Sequence, residues 1–349
     1  MQHATTVAID LAKDVFEVII ADGHGHVLER RRLSRRPFER FIDTLTPTHV
    51  VVLEACSTAH YWGRRCQTRG ATVRLLPAQY VRPYVRRNKT DRTDAEALLE
   101  ANRCGALQPV PIKTPEQQAI QGLHRVRTQW LRTRTARINV MRGLLREHGI
   151  ALPVGTGRMA SRVVAALEQH ASELPALVPQ LAQWLLADLH RIDEQLRVIN
   201  QQVARLARTH PVAVRLQQVP AVGPVTATAL VGTVTHIHRF ARGRQFASWM
   251  GLTPREMSSG HRRELGGISK RGDRYLRTLL CHGARALLRA AQVRQQRLRS
   301  LTPLQQWGLQ VLHRRGHNRA VVALANKLAR IIWAVWRQES DGALVEAVS

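Results

Sequence analysis

Five short runs of β-branched and apolar residues fill the first 76 residues, and two kinds of segment separate them. Thr5-Thr6-Val7-Ala8-Ile9 ends at Asp10, and Val15-Phe16-Glu17-Val18-Ile19-Ile20 follows after a short gap. Asp22-Gly23-His24-Gly25 is turn chemistry, so Val27 to Leu33 can return as a third strand. The later gaps are of helix length. Phe38 to Leu45 reads as a short helix, and His49-Val50-Val51-Val52-Leu53 as a buried strand ending at Glu54. Thr72-Val73-Arg74-Leu75-Leu76 is the fifth strand; a basic stretch and a helix starting near Thr90 follow it. A three-strand meander followed by helix, strand, helix, strand, helix predicts a mixed α/β sheet of the ribonuclease H type.

The remainder reads as helical. Leu123, Val126, Trp130, Ile138, Met141 and Leu145 recur at roughly helical spacing on a basic helix, which Gly149 to Gly157, with Pro153, breaks. A second long helix carries Leu185, Leu189, Ile192, Leu196, Ile199, Val203 and Leu206, in alternating steps of 4 and 3. That stripe suits either a hairpin with the 120–147 helix or a contact between protomers; in both cases the two helices are expected to form a coiled-coil arm. From about Pro211, the run Val219-Pro220-Ala221-Val222-Gly223-Pro224-Val225-Thr226-Ala227 looks like the turn of a helix-hairpin-helix. A turn centred on Gly223 would expose amides at a helix N-terminus to phosphate. Val321, Leu324, Leu328, Ile331 and Val335 form a core stripe on the last helix.

Charge narrows the choice of partner. The 349 residues hold 53 Lys and Arg against 25 Asp and Glu, a net charge of +28, which calls for a polyanion, usually nucleic acid. An anionic membrane is the rival partner, but no apolar run approaches the ~20 residues of a spanning helix. Asp10, Lys13, Asp14 and Glu17 interrupt the early apolar residues, so the N-terminus does not read as a signal peptide. Cys56, Cys66, Cys104 and Cys281 contain no CxxC pair, which argues against a zinc ribbon or disulfide framework and fits a reducing cytoplasm. The 16 histidines show no metal-ligand spacing.

In a chain this poor in acids, four stand where a nuclease needs them. Asp10 and Glu54 close strands, and Asp91 and Asp94 share one face of the following helix. Singly, each suits an ordinary cap or helix-dipole role. Together they would repel one another unless a hard cation, Mg²⁺ or Mn²⁺, sat among them. Two such ions about 3.5–4 Å apart can stabilise the attacking and leaving oxygens of a phosphoryl transfer.

Near the C-terminus, Ser258-Ser259-Gly260-His261-Arg262-Arg263 runs into Gly266-Gly267-Ile268-Ser269-Lys270-Arg271-Gly272-Asp273-Arg274. The glycines predict a loop and the cations make it electropositive. A serine here could attack a phosphodiester, or the loop could merely bind phosphate; Ser258, Ser259 and Ser269 are all open on chemistry alone.

Ala8-Ile9-Asp10, Leu53-Glu54-Ala55 and Asn88-Lys89-Thr90-Asp91-Arg92-Thr93-Asp94-Ala95, in that order, resemble one family, and two C-terminal motifs extend the likeness. These are Phe246-Ala247-Ser248-Trp249-Met250-Gly251-Leu252-Thr253-Pro254, and Ser259-Gly260 followed by Gly267-Ile268-Ser269-Lys270-Arg271-Gly272. The chain is similar to the DEDD-type insertion-sequence transposases, relatives of the Piv DNA invertase that include RNA-guided recombinases. The resemblance spans nearly the whole chain. It implies a RuvC-like domain over 1–112, a coiled-coil arm over 113–210 and a mainly helical transposase domain over 211–349.

The resemblance further implies that Asp10, Glu54, Asp91 and Asp94 hold the metal, and that Ser259 is the nucleophile that becomes joined to DNA. It implies a structured guide RNA encoded by the element, which pairs with target and donor DNA. A dimer or tetramer is also implied, in which acid and serine sites of different protomers combine. One departure stands out: Ala55-Cys56-Ser57 follows the glutamate where many members have Ala-Thr-Gly. Arg86, Arg87, Lys89, Gly223, Arg262, Arg263, Lys270, Arg271 and Arg274 are the expected nucleic-acid contacts. Arg125, Arg127, Arg132, Arg134 and Arg137 on the middle helix could face RNA or DNA. Two rival readings remain: a RuvC-like nuclease using metal-activated water, and a non-catalytic nucleic-acid scaffold. The nuclease would have no use for the serine motif, and the scaffold none for the acids.

Overall fold

The computed structural model describes residues 5–85, 91–105, 107–153, 155 and 157–348, with 91, 92 and 339–348 described by backbone alone. The chain divides into two compact units, Met1–Pro115 and Glu116–Ser349.

The first unit is a mixed α/β sandwich. Its strands are β1 (Thr5–Leu11), β2 (Val15–Ala21), β3 (Val27–Ser34), β4 (His49–Glu54) and β5 (Thr72–Leu76). Its helices are α1 (Arg35–Asp43), α2 (Ala59–Thr68), the short α3 (Ala78–Val81) and α4 (Asp91–Arg103). The sheet order is β3-β2-β1-β4-β5, with β1, β2 and β3 antiparallel and β4 parallel to both β1 and β5. The short polar turns thus make hairpins and the helix-length gaps make crossovers, as parallel pairing requires.

Side-chain alternation assigns the two faces of the sheet. Val7, Ile9, Val51 and Leu53 join Phe16, Phe38 and Trp62 beneath α1 and α2. Phe16 stacks on Phe38 with ring centroids 4.0 Å apart, and Trp62 meets Phe38 edge-on at 4.8 Å. On the other face Ala8, Ile19, Val52 and Leu76 pack with Ala95, Leu98, Leu99 and Ala101 of α4. Alanines on both sides let this helix lie close to the strands. The edge strand β3 is exposed and carries Glu29, Arg30, Arg31 and Arg32, a charged row that discourages further strand pairing.

The second unit is mostly helical. It opens with α5 (Pro115–Glu147), α6 (Met159–Gln169) and α7 (Leu177–Thr209). Polar pairs tie α5 to α7 in antiparallel order: Arg127 to Asn200, Arg134 to Asp193 and Arg137 to Asp188. The 4-and-3 stripe is buried at Leu189, Ile192, Leu196, Ile199 and Val203. On α5, Ile138, Met141 and Leu145 are buried, but Val126 is 48% exposed. There the cross-helix contact is made by arginines rather than by the expected apolar stripe.

The chain continues through α8 (Pro211–Leu216), α9 (Pro224–Thr233), a 3-10 turn at Ile237–Arg239, and α10 (Gly243–Trp249). Strands β6 (Pro254–Glu256) and β7 (Leu265–Ile268) precede α11 (Arg274–Gln296), α12 (Pro303–Arg315) and α13 (His317–Val348). One core binds these elements, and Ile120 of α5 is part of it. Val321, Leu324 and Leu328 are buried in this core as expected, while Ile331 and Val335 stand at its margin beside the deeper Ile332 and Trp336. No helix among the described residues is long and apolar enough to cross a membrane.

Candidate functional site

The acids of the first unit converge through strand register. Ile9 faces Leu53 in the parallel pairing of β1 with β4, so Asp10 and Glu54 are neighbours one residue further along. Ala8 and Val52 belong to the cluster beneath α4. Two residues on, Asp10 and Glu54 therefore stand on the α4 side of the sheet. Asp94 precedes Ala95 and lies one turn before Leu98, both of which pack on that side. All three acids are half-buried, and Oδ1 of Asp94 is sealed from solvent. Helix α4 starts at Asp91, whose side chain lies outside the described residues. One boundary differs from expectation: β1 runs on to Leu11, so Asp10 lies inside the strand, paired with Glu17 of β2.

That pairing adds a carboxylate that the strand-end pattern misses. Glu17 is on the same side of the sheet as Ile19, beside Asp10, and Arg32 Nε holds it at 3.3 Å. Strict alternation in β2 would have found it. The arginine balances its charge. Among the described residues, no three His, Cys, Asp or Glu side chains are grouped closely enough to hold a metal ion. The donor chemistry nonetheless fits a hard divalent cation, since each candidate is a carboxylate and three share one half-buried face.

The serine segment is a hairpin rather than an irregular loop. Strands β6 and β7 pair antiparallel, and beyond them Ser259 and Arg262 bond amide to carbonyl both ways, at 3.2 and 3.1 Å. Gly260 is the first residue of this two-residue turn and has a φ of +54°, the conformation that glycine permits there. The two adjacent hydroxyls differ. Ser258 Oγ donates to Glu256 Oε1 at 3.0 Å and accepts the Glu264 amide at 3.1 Å. Ser259 Oγ is exposed and makes no hydrogen bond among the described residues. Ser269 is half-buried, and its amide donates to the Thr253 carbonyl at 2.8 Å.

Close backbone contact locks the base of the hairpin. A Cβ on Gly251 would lie 2.0 Å from the Arg271 carbonyl oxygen, and one on Gly272 would lie 1.8 Å from the Trp249 oxygen. Arg277 Nη1 donates to the Met250 and Arg271 carbonyls at 2.9 and 3.2 Å, and Asp273 caps α11 by accepting the Leu276 amide. The Gly251-Leu252-Thr253-Pro254 and Lys270-Arg271-Gly272 motifs, distant in sequence, are thus one structural joint.

Among the expected nucleic-acid contacts, Arg262 and Arg263 are exposed and reach Glu264 and Glu256 at 3.6 and 3.4 Å. Lys270, Arg271 and Arg274 are exposed. Arg86, Arg87 and Lys89 lie outside the described residues. Gly223 caps α9 with a φ of −94°, open to any residue; the left-handed position of that turn is Ala221, at +64°. Its carbonyl packs on Gly283, where a Cβ would come within 2.6 Å. Arg127, Arg134 and Arg137 of the middle helix have partners on α7.

A buried polar chain links three helices of the second unit. His124 of α5 bonds Tyr275 of α11 at 3.1 Å and Thr228 of α9 at 3.0 Å. Burial, aided by the charge of Arg127, pushes the His124 imidazole down to about 4, so it is neutral near pH 7.

Comparison with known proteins adds an independent line. A family model described as "Transposase IS116/IS110/IS902 family" matches residues 213–299, and a DEDD transposase model of the IS110 type matches residues 7–150. A "Probable family 20 transposase" from Pseudomonas aeruginosa is 42% identical, covering 97% of this chain and 98% of its own. The "Transposase for insertion sequence element IS1111A" from Coxiella burnetii is 39% identical over 97% of this chain and 92% of its own. The "Transposase for insertion sequence element IS1328" from Yersinia enterocolitica is 35% identical over 97% and 98%.

Proposed function

Because the chain belongs to the IS110-type (IS116/IS110/IS902) transposases, we propose that it cuts and rejoins DNA through a phosphoserine intermediate formed at Ser259. The observation that carries this reading is the contrast between the serines: Ser258 is engaged by Glu256 and Glu264, whereas Ser259 is exposed at a cation-flanked turn on a rigid base. The Ser259 oxygen forms a bond to phosphorus as one bond from phosphorus to a deoxyribose oxygen breaks. The serine proton leaves, and the departing oxygen ends as a hydroxyl. A strand-end hydroxyl then attacks the phosphoserine, restoring the serine and joining the strands. Arg262, Arg263, Lys270, Arg271 and Arg274 offset the phosphate charge.

In this reading the first unit is a RuvC-like domain, consistent with its sheet order and with α4 on one face. Asp10, Glu54, Asp91 and Asp94 would hold Mg²⁺ or Mn²⁺. When bound, such an ion supplies Lewis-acid stabilisation of charge on a phosphoryl oxygen. Base pairing by an element-encoded guide RNA would read sequence while the protein holds duplex backbones, with the chain acting as a homo-oligomer. Arg86, Arg87, Lys89 and the amides beyond Gly223 belong to the same reading as backbone contacts, and 113–210 as an arm between the RuvC-like and transposase domains.

A denaturing gel with Mg²⁺, the element's noncoding RNA and cognate DNA tests the proposal. The expected result is a protein–DNA adduct that is lost in Ser259→Ala and in Asp10→Ala. Metal-dependent cleavage that survives Ser259→Ala without any adduct would instead support the hydrolytic nuclease.

A further inference from the structure

A set of cations that the sequence motifs do not include lies on α12 and α13, across a cleft from the serine hairpin. A cleft of about 1210 Å³ has one wall built from β7 and Lys270, and the other from α12 and α13 with Arg315, Arg319, Lys327 and Arg330. Lys327 and Arg330 also line a neighbouring cleft of about 610 Å³, which continues to Arg242 and Arg244 at the start of α10. Positions 319, 323, 327 and 330 follow helical spacing, so the cations form one stripe along α13. No Asp or Glu is among the residues lining either cleft.

These cations differ in what they touch from the arginines that meet carboxylates on β3 and α5. On β3, Arg30, Arg31 and Arg32 each meet a carboxylate, and so do Arg134 and Arg137 on α5. Among the described residues, none of Lys270, Arg315, Arg319, Lys327 and Arg330 has an ion-pair partner. Lys327 instead places its ammonium 4.3 Å from the centre of the Trp307 ring, on the cleft wall. The opposite wall carries Lys270 among apolar residues and leaves room at Gly267, where a Cβ would meet nothing within 4 Å. A cleft with cations on both walls, none of them ion-paired among the described residues, and no carboxylate in its lining has the form of a track for a phosphodiester backbone.

We propose that this cleft carries the backbone of the DNA strand that Ser259 attacks, with Arg319 and Arg330 as its principal phosphate contacts. The commitment to DNA rests on the recombinase reading above, because the cleft wall is the inner strand of the hairpin that bears Ser259. The strand would run from the hairpin along α13 towards Arg242.

The test is equilibrium binding of the full-length protein, without divalent metal, to a labelled DNA duplex of the element's end and separately to its noncoding RNA. The double variants Arg319→Glu/Arg330→Glu and Arg319→Gln/Arg330→Gln are compared with Arg36→Glu/Arg40→Glu. The control makes the same charge change as the glutamate variant, on exposed arginines of α1. Both cleft variants should lose at least tenfold in DNA affinity, and the slope of log affinity against log salt should shallow by about 2 for two lost contacts. The control should lose less than threefold, and RNA affinity should change less than DNA affinity. Equal losses in cleft variant and control would reduce the effect to net charge and overturn the proposal. A loss confined to RNA would overturn the assignment to DNA. Since no bond is broken in this assay, failure of the phosphoserine mechanism leaves its outcome unchanged and shows only in the adduct gel.

Discussion

Asp10 and Glu54 stand on strands that are hydrogen-bonded on both sides, whereas Ser259 stands at the tip of a two-stranded hairpin with solvent around it. In the first unit, register and a packed helix put Asp10, Glu54 and Asp94 on one side of the sheet, so a change in backbone there is felt across the sheet. In the second, the proposed nucleophile is held only from its base, at the joint between Gly251 and Gly272. The difference separates two kinds of precision. Carboxylates that repel one another need a rigid frame and a compensating charge. A nucleophile that must meet a large substrate needs access, with rigidity one step removed.

The sharpest way to break this comparison is to remove each group and read both chemistry and stability. Ser259→Ala should abolish the DNA adduct and recombination, with a melting temperature within about 1 °C of wild type, as surface substitutions usually leave it. Asp10→Ala and Asp94→Ala should abolish activity too, but with a second signature. Mg²⁺ at about 100 times its Kd should stabilise the wild-type protein by about 2.7 kcal/mol, and that gain should vanish in both variants. A stabilisation by Mg²⁺ that survives in both would remove these acids from the metal site.

A smaller effect should come from the joint. Gly272→Ala puts a Cβ against the Trp249 carbonyl at a φ of +81°, and should cost about 2–4 kcal/mol in denaturant unfolding while weakening adduct formation. No loss in either would show that the hairpin is not set from its base.

Comparable in size is a pH effect at the buried His124. Burial holds the His124 imidazole at about 4, below its ordinary 6.5, so the unfolded chain gains a proton where the folded chain does not. Stability from this group is full above about pH 6.5 and falls as the pH drops towards 4, by on the order of 3 kcal/mol. Unfolding of wild type and His124→Gln at pH 7 and pH 4.5 should show a shallower fall in the variant. The smallest effect belongs to Ser258→Ala, which removes two exposed hydrogen bonds: less than about 1 kcal/mol of stability, with adduct yield within about twofold of wild type.

The same contrast explains what was legible in the sequence. The sheet could be read because strand periodicity and gap length are local signals, and they carried Asp10 and Glu54 to neighbouring strands. The strand-end rule was less sharp: β1 extends past Asp10, and Glu17 stayed hidden because it is reached through cross-strand pairing. The hairpin bearing Ser259 was read as a loop since strands of 3 and 4 residues, rich in glycine and charge, carry no periodic signal. Choosing Ser259 over Ser258 rested on resemblance, and the physical distinction lies in the bonds that engage Ser258, to the Glu256 side chain and from the Glu264 amide. The stripe on α13 was read only as a core helix, because a cation's partners belong to tertiary structure.

The most direct measurement is to trap the protein–DNA adduct, digest both components to a nucleotide-bearing peptide, and locate the nucleotide by fragmentation in a mass spectrometer. The account predicts a nucleotide linked through phosphate to Ser259 alone, with none on Ser258 or Ser269. Attachment to either of those serines, or cleaved DNA with no attached peptide, would contradict it.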